Sequence, residues 1–445
     1  MTMTALTFAV RRQDPELVGP AAPTPRETKR LSDIDGDDVL RVHVPSAFFY
    51  RGGRRGGDDP VAVIRSALGE ALVPYYPLAG RLREVDGRKL VVDCTGEGVL
   101  FVEADADVQL ADLEAATGGV REPLPCMEQL LLDVQGSSGG ILNCPLMIIQ
   151  VTRLLCGGFV LALRMNHNMC DATGAGQFIS AMAELARGLP SPTVAPAWSR
   201  ELLDARNPPR PTLDNRTYDA VPPAPPSGDS DMVTRAFTFT RADIATIKQG
   251  LPPRLRDKQA TTFEVVAAVI WRARTVALDP PAGDDDMMRL VVVANVRSVH
   301  ELGIPAGYYG HACVFITAMA TAGALRAGTL GDAVELVREA KAWLSAEYVR
   351  STADLLVLRG WPNVSPTNLL VVSDCRHAGF HTVDLGWGLP VYGGPVHTHH
   401  PVPALLSTVK NGDGEDALAV PLTLPRPAMD RFASEIEMLV RSASG

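Results

Sequence analysis

Ten prolines fall between Gly188 and Ser230. No helix or central strand survives such a run, because each ring fixes φ and removes a backbone donor. The stretch splits a chain of 445 residues into two parts of similar size, each long enough for a domain with its own core. We therefore expect an N-terminal domain over 1–188, a crossover over 189–231 and a C-terminal domain over 232–445. A hydrophobic share of 46% against 21% charged supplies the apolar area for both cores and excludes wholesale disorder.

Both parts mix helix and strand signals. Apolar spacing predicts helices over 61–72, 263–276 and 330–348, with Thr261 or Thr262 capping the second. Strands are expected over 146–155 and 159–165, joined by the turn Cys156-Gly157-Gly158, and over 290–296 and 368–373. The elements do not alternate strictly. The chain reads as α/β, and no doubly wound sheet is demanded.

Charge and cysteine use remove several function classes. Fifty-one acidic against 42 basic residues leave a net charge of −9, which disfavours nucleic acid and anionic membranes as partners. The seven cysteines are scattered, odd in number and without a CxxC pair, so neither a zinc knuckle nor a disulfide framework is expected. Gln150, Arg153 and Gly157-Gly158 interrupt the apolar stretch over 144–165, which excludes it as a membrane span. The first ten residues hold too short an apolar run for a secretory leader. A cytoplasmic location follows as the expectation.

The stretch that carries chemistry is Arg164-Met165-Asn166-His167-Asn168-Met169-Cys170-Asp171-Ala172-Thr173-Gly174. Leu161, Leu163, Met165 and His167 share one face of the incoming strand by its two-residue period. Past Asp171 the period changes to that of a helix, with Phe178, Met182, Leu185 and Ala186 in phase, so Asp171 or Thr173 is the natural N-cap. His167 thus stands at a strand-to-helix junction, where an imidazole can serve as a base near neutral pH. Taken alone, a histidine on an apolar face is more often a core residue, and Asp171 alone a simple cap. Cys170 as a nucleophile is outweighed by a buried thiol. Gly174 and Gly176 hint at a GxGxxG loop, but Ile179 occupies the third glycine's place. His397, His399 and His400 read as a solvated loop rather than a metal site, and no metal is expected.

His167-Asn168-Met169-Cys170-Asp171 resembles the HxxxD motif of the plant BAHD acyltransferases. Asp384-Leu385-Gly386-Trp387-Gly388 is similar to that family's DFGWG motif. Tyr75-Tyr76-Pro77-Leu78-Ala79-Gly80-Arg81-Leu82, Thr262-Phe263-Glu264 with Trp271, Asn295-Val296-Arg297 and Gly307-Tyr308-Tyr309-Gly310 match in order along nearly the whole chain. Pro390-Val391-Tyr392-Gly393-Gly394-Pro395 resembles the benzoyl and hydroxycinnamoyl alcohol acyltransferase branch.

The resemblance implies two similar mixed-sheet domains of the CoA-dependent acyltransferase type with a channel between them. It implies acyl-CoA as co-substrate, no permanently bound cofactor, and a small aromatic alcohol as acceptor. His167 would be the catalytic base. Asp171 would pair with Arg297 to hold the loop, and Ser373 would be a candidate donor to the oxyanion. Asp384, Gly386, Trp387 and Gly388 would be structural. Within the branch we expect hydroxycinnamoyl transfer, p-coumaroyl or feruloyl, to a monolignol by a monomeric enzyme. The alternatives are benzoyl or acetyl transfer giving small esters, a non-catalytic homologue that binds CoA esters, and a hydrolase using Cys170. Three positions depart from the family: Leu385 for Phe, His311 where Asn is common, and Cys375 where Trp is frequent.

Overall fold

The computed structural model describes residues 6–53, 57–120, 123–124, 126–133, 140–213, 215, 231–257, 260–279, 283–360, 368–396, 403–411 and 414–442. His397, His399 and His400 lie outside the described residues, as do the prolines over 222–226. The molecule is α/β with mixed sheets in two domains.

The N-terminal sheet has seven strands. Its order is Val10–Arg12, Val99–Ala106, Met147–Arg153, Phe159–Asn166, His43–Tyr50 and Tyr392–Pro395, and Glu16–Val18 also pairs with Val99–Ala106. The last strand in that order comes from late in the chain and closes one edge antiparallel to His43–Tyr50. The second sheet runs Met232–Phe239, Asp416–Pro425, Ala404–Lys410, Leu369–Asp374, Met287–Asn295 and Cys313–Thr321. Leu369–Asp374 is parallel to both of its neighbours, and parallel neighbours demand long crossovers. Helices supply part of the chain between Met287–Asn295 and Leu369–Asp374.

The hairpin of Met147–Arg153 and Phe159–Asn166 closes where Arg153 pairs with Phe159. Both faces of its second strand are covered. Phe159, Leu161, Leu163 and Met165 join Ile64, Phe178 and Met182 in one core. Val160 and Ala162 pack with Phe49, Val409 and Ala419 in another, which draws on both sheets. A strand buried on both sides reads as a continuous apolar run, and it carries His167 rigidly at its end.

Helix starts follow their caps. Asp59 caps Pro60–Ala71 through the Val61 N–H. Thr261 and Glu264 form a reciprocal capping box on Thr262–Leu278. The single helix expected over 330–348 is instead two, Leu330–Ala342 and Ala346–Arg359. Ser345 adopts an extended backbone, and its side chain accepts from the Tyr348 N–H, starting a new helix.

The described part of the crossover is pinned to the second half. The Ala197 N–H donates to the Gly307 carbonyl, and the Arg206 guanidinium meets the buried Asp354 carboxylate at 2.7 Å. Among the described residues, no helix is long and apolar enough to cross a membrane.

Candidate active site

His167 follows the last residue of Phe159–Asn166, and its backbone N–H donates to the Val42 carbonyl at 2.9 Å. Its Nδ1 lies 2.9 Å from the Cys170 carbonyl oxygen. A carbonyl oxygen only accepts, so Nδ1 carries the proton and the Nε2 lone pair stays free. Burial pushes the imidazole pKa below its ordinary 6.5, against the opposing pull of the Cys170 carbonyl and the Asp171 charge. The ring is therefore neutral at neutral pH, and it keeps part of its surface open. Such a ring can take a proton from a hydroxyl at Nε2 and give it back.

Asp171 caps the helix Ala172–Ala186 by accepting from the Gly174 N–H at 2.8 Å. Its carboxylate meets Arg297 at two points, 2.6 Å from Nη1 and 3.0 Å from Nη2. It also accepts from the Ala312 N–H at 3.0 Å. Burial alone would raise its pKa, but the charge and hydrogen bonds of Arg297 bring it to about 2. Arg297 in turn donates to the carbonyls of Tyr308 and Gly310. The Asn295 carboxamide accepts from the Arg297 N–H and donates to Thr173 Oγ1. The loop bearing His167 is thereby tied to the segment over 307–313 of the second half.

Gly174 and Gly176 bring the two halves closer than any side chain allows. A Cβ on Gly174 would stand 2.1 Å from the Tyr309 carbonyl oxygen, and one on Gly176 would stand 1.9 Å from that of Ala378. The pair of glycines that hinted at a nucleotide loop is a packing contact.

The remaining expected residues separate in space. Ser373 is the penultimate residue of Leu369–Asp374, with its Oγ 3.9 Å from Cys375 Sγ, and no hydrogen bond joins it to His167. Asp384 Oδ1 accepts from the Gly386 and Gly388 N–H groups, both at 2.8 Å. The two glycines take φ of 103° and 94°, which a side chain would resist. This tight turn sets the Trp387 ring edge-on to Phe159 at 5.1 Å. Phe159 begins the strand that ends at Asn166, about 23 Å away at ~3.3 Å per residue. Leu385 is fully buried in the same core.

Burial pushes the thiols of Cys170 and Cys375 up to about 12. Both stay thiols at neutral pH, and Cys170 is only 2% exposed, which argues against it as a nucleophile. Among the described residues, no group of His, Cys, Asp and Glu could hold a metal ion. Surface clefts of about 300 Å³ beside Arg26 and about 250 Å³ beside Lys29 and Trp198 do not include His167. The site is marked by its hydrogen bonds rather than by cavity size.

Two residues absent from the sequence-based expectation complete the network. Asp35 and Arg200 form a buried ion pair at 2.6 Å. Arg200 Nη2 also donates to the Met169 carbonyl inside the HxxxD loop, and the Asn168 side chain donates to the Asp35 carbonyl at 2.5 Å. Asp35 sits among Asp33, Asp37 and Asp38, so its sequence signal was that of a solvated acidic run.

The Transferase family model matches residues 8–439. The chain belongs to this family, the BAHD acyltransferases. It is 46% identical to benzyl alcohol O-benzoyltransferase of Petunia hybrida, covering 98% of this chain and 95% of the relative. Alcohol acyl transferase 1 allele GSa of Malus domestica is 45% identical over 97% of this chain and 94% of its own. Among solved structures, vinorine synthase superposes with a TM-score of 0.71 at 21% identity, over 97% of this chain and 98% of that one. That likeness establishes the shared BAHD fold. The enzyme is an acyl-CoA-dependent alcohol acyltransferase, and acyl-CoA is its co-substrate.

Proposed function

We propose that this BAHD enzyme transfers a benzoyl or other small acyl group from CoA to benzyl alcohol or a small aliphatic alcohol. The observation that carries this reading is the near-full-length identity to benzyl alcohol O-benzoyltransferase and to alcohol acyltransferases. The hydroxycinnamoyl and monolignol expectation gives way to it, since no relative named above is a monolignol transferase.

In this reading His167 Nε2 removes the alcohol proton as the oxygen attacks the thioester carbonyl. The tetrahedral intermediate collapses, the C–S bond breaks, and the CoA thiolate takes the proton back from the imidazolium. Asp171 and Arg297 act as positioning residues by fixing the loop that presents His167. Ser373 is offered as a donor to the oxyanion. Holding alcohol and thioester together supplies much of the rate.

A donor-by-acceptor matrix with purified enzyme tests the substrate reading. Benzoyl-CoA with benzyl alcohol should give higher kcat/KM than p-coumaroyl-CoA with coniferyl alcohol. The reverse order would restore the hydroxycinnamoyl reading.

A further inference from the structure

We infer that His311 is a second imidazole of the reaction centre, whose N–H donates to the thioester carbonyl oxygen as it becomes an oxyanion. The inference rests on the acyl-transfer reading above and adds a catalytic residue to it.

Three observations place the ring. First, its backbone is clamped. The His311 N–H donates to Asp35 Oδ1 at 3.0 Å, and the next N–H, of Ala312, donates to Asp171 Oδ2 at 3.0 Å. Both carboxylates are buried and each is already held by an arginine, so the segment has little freedom. Second, the His311 ring stands edge-to-face with the His167 ring, with centroids 5.1 Å apart and planes at 74°. Third, the ring makes no hydrogen bond to another described residue. His311 is 3% exposed, Nδ1 is sealed from solvent without a partner, and among the described residues no hydrogen bond reaches Nε2.

Buried polar side chains are nearly always hydrogen-bonded, and an exception calls for a partner that comes and goes or for a chemical role. An apolar residue would fill this space without the cost of an orphaned polar group, about 1–3 kcal/mol. A neutral imidazole has one N–H and one lone pair. Leaving a lone pair unmet at the sealed Nδ1 is easier than leaving an N–H unmet there, since orphaned buried N–H groups are the rarer kind. The favoured tautomer therefore carries its proton on Nε2, a donor with no acceptor among the described residues.

The reaction creates the acceptor. With the alcohol oxygen within hydrogen-bond reach of His167 Nε2, the attacked carbonyl carbon lies only about 3–3.5 Å further on. A neighbouring ring centred 5.1 Å from that of His167 borders the space in which the carbonyl oxygen turns anionic. As the C–O bond forms, the carbonyl π pair moves to oxygen, and the His311 N–H meets that charge. When the C=O bond re-forms, the C–S pair leaves on sulfur and the His311 proton has not moved. Burial, with the neighbouring His167 next in weight, holds the His311 pKa down to about 3. The ring thus stays a neutral donor and does not compete with His167 for the alcohol proton.

The test compares wild type, His311→Leu and His311→Asn as full-length proteins. Benzoyl-CoA and acetyl-CoA are the donors and benzyl alcohol the acceptor. His311→Leu should lower kcat by about 10²–10³-fold, with KM for both substrates unchanged and Tm no lower than wild type. His311→Asn keeps an N–H donor and should recover most of the lost kcat. Undiminished kcat in His311→Leu, equal losses in both variants, or a loss that tracks a falling Tm would each overturn the role. Those outcomes leave the wild-type activity standing. A wild type that makes no ester from either donor would instead overturn the functional reading, and this inference with it.

Discussion

Asp171 and Arg297 meet through two parallel hydrogen bonds of 2.6 and 3.0 Å, joining the loop after the N-terminal sheet to the second half of the chain. The pair is nearly closed to water, with side-chain exposures of 4% and 19%. Its two-point geometry matches the fork of a guanidinium and not the single ammonium of lysine.

Removing either partner strands the other charge in a low-dielectric site, at a cost of about 3–5 kcal/mol. Asp171→Ala and Arg297→Ala should therefore lower Tm and soluble yield together with rate. Arg297→Lys should recover only part of the loss. In a double-mutant cycle the two alanine changes should be far from additive. Additive effects would mean that the pair is not coupled.

Gly174→Ala and Gly176→Ala test how closely the halves are packed. Each new methyl would overlap a carbonyl oxygen of the second half, at 2.1 and 1.9 Å. Ala378 lies in a short 3-10 helix, and Arg297 holds the carbonyls on either side of Tyr309, so relief requires the helix Ala172–Ala186 to shift. Overpacking of this kind costs about 1–3 kcal/mol, and it would move Asp171 at the helix start. Thermal melts should show lower Tm in both variants, with the larger loss of activity in Gly174→Ala, nearer to Asp171. Unchanged melts would contradict the contact.

Much of the N-terminal site was legible in the residues themselves. The switch from a two-residue to a helical period left the cap between Asp171 and Thr173 and put His167 at the strand's end; Asp171 is the cap, and His167 follows the strand directly. The Arg297 partnership left no trace in spacing, because 126 residues separate the two side chains. It entered only through the family resemblance. Asp35 and Arg200 were invisible for the opposite reason. An aspartate in an acidic run and an arginine beside prolines look solvated until the fold encloses them. The split of the expected 330–348 helix turned on Ser345, whose hydroxyl competes for backbone donors wherever it sits. The strand Tyr392–Pro395 illustrates a further limit, since chain order alone does not reveal that it completes the N-terminal sheet.

Two imidazoles, the partly open His167 and the buried His311, give the enzyme a defined acid response. His167 and His311 both have folded pKa values below 6.5, His311 at about 3. Asp35, Asp171, Arg200 and Arg297 face them, and Arg297 holds the Asp171 carboxyl down at about 2, so Asp171 does not titrate in this range. Below pH 6.5 the unfolded chain binds protons that the folded rings refuse, so stability falls as pH drops from about 6.5. Depressed histidine pKa values give that sign, and for His311 the slope reaches about 1.4 kcal/mol per pH unit. Denaturation series between pH 7 and 4 should show it, and His311→Asn should flatten it. A wild type more stable at pH 5 than at pH 7 would contradict the assignment. In the same range kcat/KM should fall with an apparent pKa below 6.5, reporting protonation of the free His167.

The most direct measurement of the account is the rate of benzyl ester formation by His167→Ala against wild type, with benzoyl-CoA and benzyl alcohol, alongside the melting temperature of each. With His167 as the base, the variant should lose about 10²–10⁴-fold in kcat while its Tm stays at the wild-type value. A folded His167→Ala enzyme that kept more than half of the wild-type rate would contradict the proposed mechanism.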